Sequence, residues 1–227
     1  MNAGEPRPYQ QPAPFVSQWG EDVWLSQRAD LPERGVFVEV GGADGRRGSN
    51  TWWLEDKRGW RGMVVEPDPR QHAALHANRT CLIDPRAVAD HAGTIAFGQH
   101  TTRPTHSGIG LTGDDYRSIT VRCVRLDTLL QEADIATIDV LSIDVEGTEL
   151  QVWGSFDPDR WRPRFVIIEY DDGVPGRRTT DIRAALGTHY HLEHVTPSNL
   201  ILVRSTPCSD PPPCPPTVPA TASRAPG

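Results

Sequence analysis

The chain has 227 residues, 37% of them hydrophobic, and a formal net charge of −7; that length supplies one substantial core. The negative balance gives no support to a polyanion-binding surface, so no nucleic-acid partner is expected. With no apolar run of about 18 residues and no basic start and apolar core of a secretory signal, no membrane partner and a cytoplasmic location are expected.

Residues 1–14 hold Pro6, Pro8, Pro12 and Pro14 and almost no apolar pattern, and are expected to be a flexible N-terminal segment. The folded domain is expected over 15–204, followed by a disordered Pro-rich tail over 205–227. Residues 17–28 predict an opening helix, with Val23, Trp24 and Leu25 as its apolar side. Residues 36–40 predict a buried strand that runs into a glycine-rich turn. Residues 50–57 predict a helix capped by Ser49 or Asn50. Residues 63–66 predict a second strand, 69–78 a helix with proline in its first turn, and 80–83 a third strand.

Short additional strands are expected at 94–98 and 120–124, on either side of a long segment, 101–118, that reads as a substrate-covering loop. Then come a helix from 126 to 131, a strand at 140–143, a short helix at 148–153, a strand at 165–170 and a helix at 179–186. Residues 190–195 and 200–203 predict a closing antiparallel pair. The alternation of strands and helices predicts an α/β domain, a mostly parallel sheet with helices on both faces. Cys81, Cys123, Cys208 and Cys214 show no C-x-x-C spacing, which argues against a structural zinc site and a disulfide framework.

A parallel sheet binds ligands beyond the carboxyl ends of its strands. Gly41, Gly42 and Gly45 fall there, where glycine permits a sharp turn and close approach of a ligand. Glu66 closes the next strand, where a carboxylate can accept both hydroxyl hydrogens of a ribose. The segment Glu39-Val40-Gly41-Gly42-Ala43-Asp44-Gly45 does not have the G-x-G-x-x-G spacing of a dinucleotide site, and no G-x-x-x-x-G-K-[ST] is present. The acids Glu39 and Asp44 suit a ligand with a positively charged end better than a pyrophosphate. S-adenosylmethionine has such an end.

Five blocks in order then carry a resemblance. They are Ser17-Gln18-Trp19-Gly20-Glu21-Asp22, Phe37 to Gly45, Ser49-Asn50-Thr51-Trp52-Trp53-Leu54-Glu55, Gly59-Trp60-Arg61-Gly62 leading to Val65-Glu66-Pro67-Asp68-Pro69, and Leu141-Ser142-Ile143-Asp144-Val145-Glu146-Gly147-Thr148-Glu149. Together they resemble the FkbM family of S-adenosylmethionine-dependent methyltransferases over most of 17–204. The resemblance implies a class I methyltransferase, Rossmann-like fold, with a seven-stranded sheet whose last strand is antiparallel. It also implies O-methylation of a hydroxyl on a small-molecule or glycan acceptor. Oligomeric state is not legible.

On this reading Glu39, Gly41, Gly42, Ala43 and Gly45 wrap the methionine portion and Glu66 holds the ribose. Asp44 either bonds the ligand or caps its own turn, and Asn50 either touches the cofactor or caps its helix. Asp84, with Ala87 nearby, is a candidate for adenine contact or an Asx turn before Pro85. Asp144 and Glu169 close two strands and point into the mouth of the site. Asp144 is a candidate for binding the methionine amino group, and Asp144 and Glu169 are both candidates for the catalytic base. The two acids could also share a divalent ion such as Mg2+, although the motif demands none and no metal ligand is assigned. Glu146 and Glu149 can instead favour the positive end of the following helix. His106, in the long segment, is a candidate base because imidazole titrates near neutrality. The competing readings are an NAD(P)-dependent oxidoreductase, which the glycine spacing disfavours, and a non-catalytic binding protein that keeps the fold.

Overall fold

A computed structural model of the chain describes residues 12–205; the expectations for 1–11 and 206–227 lie outside the described residues. The central strand, β1 (Val36–Val40), is buried along its whole length. Its side chains alternate between two apolar layers, as the period of two dictates. Val36, Val38 and Val40 join one cluster with Leu126, Leu130, Val152, Trp161 and Ile182. Phe37 points the other way, into a cluster with Leu25, Trp52, Trp53 and Leu75. Burying each such side chain contributes about 1.5–3 kcal/mol.

Around β1 the order of elements is α1 (Glu21–Ser26), α2 (Trp52–Arg58), β2 (Arg61–Val65), α3 (His72–Asn78), β3 (Leu82–Asp84), β4 (Ala87–Val88), β5 (Gly93–His100), β6 (Gly108–Ile109), β7 (Tyr116–Val124), α4 (Leu126–Glu132), β8 (Val140–Ile143), α5 (Glu149–Trp153), α6 (Pro158–Trp161), β9 (Phe165–Glu169), α7 (Thr179–Leu186), β10 (Tyr190–Val195) and β11 (Asn199–Arg204). The seven-stranded sheet has the order β10-β11-β9-β8-β1-β2-β3. The four pairings from β9 through β8, β1 and β2 to β3 are parallel. β11 is antiparallel to both β9 and β10. The sheet is thus mixed, which corrects the expectation of a mostly parallel one. The reason is the last hairpin, whose β11 inserts between β9 and β10. Helices α1 to α3 feed the cluster around Phe37, and α4 to α7 feed the opposite one.

The opening helix is shorter than expected. Residues 17–20 form a capping turn instead: the Ser17 hydroxyl donates to Asp22 at 2.5 Å and accepts from the Gly20 N–H at 3.1 Å. Buried Glu21 ties this turn to the far hairpin by accepting from Thr196 Oγ1 and Asn199 Nδ2, each at 2.9 Å. Residues 87–124 build a second sheet of order β4-β7-β5-β6. The expected covering loop therefore has structure of its own, a 3-10 turn over Pro104–His106 followed by β6. Among the described residues no helix is long and apolar enough to cross a membrane.

Candidate functional site

A cavity of about 1230 Å³ opens beyond the carboxyl ends of β1, β2, β8 and β9. It is roofed by residues of the second sheet. Of the site residues expected from the sequence, Glu39, Gly41, Gly42, Ala43, Asp44, Asn50, Glu66, Ala87, His106, Asp144 and Glu169 all line it. Gly45 and Asp84 do not. A Cβ on Gly45 would lie 2.5 Å from Leu75 and 2.7 Å from Arg79, so that glycine serves the packing of α3. Asp84 is held by Arg86, with Nη2 to Oδ2 at 2.7 Å, and accepts from the Arg86 N–H, which is the Asx turn.

The glycine turn is shaped by the protein's own backbone. Gly41 has φ +90°, and a Cβ there would sit 1.6 Å from the carbonyl oxygen of Asp144; at Gly42 it would sit 2.1 Å from Val64 Cγ1. Both glycines are thus required by the close approach of β8 and β2. The turn points the N–H of Ala43 at Glu66 Oε2, 2.7 Å away, while Glu66 Oε1 accepts from the Asp68 N–H at 2.7 Å. Each oxygen keeps a lone pair, and the carboxylate faces the cavity. Burial pushes its pKa up to about 7 against the pull of those two N–H donors.

Glu39, which lines the cavity, also has partners within the protein. Its oxygens accept from Ser49 Oγ (2.9 Å), Thr51 Oγ1 (2.7 Å), the Asn50 N–H (3.1 Å) and Arg79 Nη1 (3.1 Å). The Arg79 side chain is fully buried and also reaches Glu55 and the Gly45 carbonyl. Glu39 therefore anchors the start of α2, and its charge is already matched. Asp44 accepts from the N–H groups of Arg46 and Arg47 and caps its own turn. Asn50 donates through Nδ2 to Ser142 Oγ at 3.1 Å, which ties the loop to β8.

At the other end of the cavity Asp144, Glu146 and Glu169 each bring a carboxylate oxygen within 4.8 Å of the others. Asp144 shares a hydrogen bond with Glu169, and both are pushed upward, first by burial and then by neighbouring acids. Arg177 pairs with Glu169 and, at 3.3 Å, with Glu149. That guanidinium already offsets the charge of Glu169. Burial thus favours the protonated forms of these acids, and a cation brought beside them, organic or metal, would favour the ionised ones.

Arg79, Ser142 and Arg177 are not site candidates in the sequence reading, and Glu146 reads there as an acid at a helix end. Ser142 carried a usable signal, a polar residue inside an otherwise apolar strand. Arg79 and Arg177 carried none, since an arginine after a helix or in a loop reads as solvated.

A sheet of this order with a ligand-sized cavity at its carboxyl edge defines a methyltransferase-like α/β fold. The family model of the methyltransferase FkbM domain matches residues 39–193, and the chain belongs to that family. The crystal structure of methyltransferase FkbM from Methylobacillus flagellatus KT is similar, with a TM-score of 0.51 and 13% identity over 82% of this chain and 48% of that one. This chain thus spans about half the length of that relative, and the likeness shows the fold alone. A mutant of MtNAS aligns with a TM-score of 0.38 at 14% identity, over 82% of this chain and 57% of that one. Its complex with S-adenosylmethionine gives 0.37 and 14%, over 81% and 62%. Those scores are too low to carry an argument. Curated proteins give no significant match.

Proposed function

We propose that this chain is a class I methyltransferase that moves the methyl group of S-adenosylmethionine to a hydroxyl oxygen of a small-molecule or glycan acceptor, in the cytoplasm. The observation that carries the reading is Glu66, a buried carboxylate fixed by two backbone N–H groups with its free lone pairs toward a large cavity. Such a group matches the paired hydroxyls of a ribose. Ala87, Val88 and Phe97 line the same cavity and offer apolar walls to a purine. Asp144 and its acid neighbours offer negative charge to an ammonium group. The donor set therefore fits this cofactor.

When bound, S-adenosylmethionine supplies a methyl carbon activated by a sulfonium. Glu66 orients the nucleoside end and Asp144 the cationic end, which holds the two reactants in line. Glu169, held by Arg177, keeps Asp144 in place. His106 removes the hydroxyl proton during attack, because a neutral alcohol is a poor nucleophile. The acids must not hold the cation too tightly, since only preferential binding of the transition state accelerates the step.

Incubation of the full chain with methyl-labelled S-adenosylmethionine and a panel of sugars, hydroxylated polyketides and phenols tests this. Label should appear in an acceptor as an O-methyl group, and a His106→Ala variant should lose most of the rate. Label found on nitrogen or carbon, or on no acceptor, would count against the hydroxyl assignment.

A further inference from the structure

The loop after β8 is bent by a residue that rarely accepts such a bend. Glu146 has φ +60°, in the left-handed region, and Gly147 follows at +128°. A glutamate held there is strained and persists only where its surroundings demand it. The bend brings Glu146 to the cavity, where it meets the 3-10 turn from the second sheet. His106 Nδ1 lies 3.6 Å from Glu146 Oε1, and both residues line the cavity. The approach depends on Gly108, where a Cβ would be 3.0 Å from the Val145 carbonyl and 3.2 Å from Glu146 Cβ. The ring of His100 stands 6.0 Å from that of His106.

We infer that Glu146 is the positioning residue for His106: its carboxylate accepts the Nδ1 proton of the imidazole and so leaves Nε2 to take the proton of the acceptor hydroxyl. The assignment rests on methyl transfer to a hydroxyl being the reaction. A distance of 3.6 Å is longer than a hydrogen bond but within ion-pair range, and the contact must close in the free protein in solution for Nδ1 to donate. The hydrogen bond at one ring nitrogen decides which tautomer is present. Burial and the charge of Asp144 push the Glu146 carboxyl up to about 8, so the carboxylate that accepts from Nδ1 is the form present on the alkaline side of that value. In the step itself the acceptor O–H bond breaks and its proton goes to Nε2. The oxygen bonds to the methyl carbon, and the carbon–sulfur electron pair leaves with sulfur. The imidazolium formed then sits against the Glu146 carboxylate, which offsets its charge.

Two-bond 1H–15N spectra of the 15N-labelled full chain test the assignment without an acceptor. His106 is identified by its loss in His106→Gln, and the spectra are read on the alkaline side of the imidazole and Glu146 titrations. The wild type should show the Nδ1-protonated tautomer. Glu146→Ala should return His106 to the commoner Nε2-protonated form, and Glu146→Gln, whose amide oxygen still accepts, should keep the Nδ1 form. A wild-type imidazole protonated at Nε2, or a tautomer unchanged in Glu146→Ala, would overturn it. If Glu146→Ala fails to fold, the wild-type tautomer alone decides. A heat-shift by S-adenosylhomocysteine on the same samples separates the two levels. Its absence in the wild type removes the methyltransferase reading, whatever the tautomer.

Discussion

Replacing Glu66 by glutamine should change how stability depends on pH in a calculable way. In the fold this carboxyl titrates near 7, against about 4.5 for an ordinary glutamate, chiefly because it is buried. The protonated form is thus favoured by folding. The contribution is fully present below pH 4.5, and it is lost as pH rises through about 7. At about 1.4 kcal/mol per pH unit, the displacement amounts to roughly 3 kcal/mol. Glutamine cannot titrate and removes this dependence. It also leaves either the Ala43 or the Asp68 N–H facing an amide donor, a cost of about 1–3 kcal/mol. That cost is the same at every pH, so the difference between the two curves, and not its absolute level, is the test. The titrating acids around Asp144 are common to both proteins and largely cancel. Urea unfolding from about pH 5 to about pH 8 should show the variant gaining roughly 2.5 kcal/mol on the wild type over that window. Parallel curves would refute the account of Glu66 as a carboxylate kept in the fold at a cost to stability.

Arg79→Met should destabilise by about 3–5 kcal/mol, because Glu39 and Glu55 lose their buried counter-ion; thermal unfolding should fall by roughly 6–20 °C, and a drop under 2 °C would contradict the network. Gly41→Ala should be among the most damaging single changes, with more than about 3 kcal/mol lost to a clash with the Asp144 carbonyl and to a strained φ, read as loss of folded yield or of the urea midpoint. Once an acceptor is found, His106→Ala should lower kcat by roughly 10²–10⁴-fold and leave S-adenosylhomocysteine binding within a factor of about three, measured by calorimetry.

Much of this molecule is legible in the sequence because its strands are apolar runs between glycine turns. Helix α7 and strands β1, β8 and β10 fall where their patterns put them. The short elements β4, β6 and α6 are too brief to carry a period. The mixed character of the sheet follows from where β11 inserts, a long-range choice that no local pattern records. At the site, the cluster of Glu39 to Asp44, Glu66 and Asp144 is readable because strand ends converge in this architecture. What a charged residue does once there is not readable. Glu39 reads as a ligand contact, and its pairing with Arg79, forty positions away in the chain, is not legible locally. Glu146 reads as a helix-end acid, and only the fold brings His106 from another sheet to meet it.

Calorimetric titration of the wild type and Glu66→Gln with S-adenosylmethionine, S-adenosylhomocysteine and NAD tests the central claim most directly. The wild type should bind both sulfur compounds and not NAD. Glu66→Gln should bind them about 100-fold more weakly or worse, since hydrogen bonds to a charged group are worth about 1.5–3 kcal/mol each. Tight binding of NAD, or equal binding of S-adenosylhomocysteine by both proteins, would contradict a nucleoside held by Glu66 in this cavity.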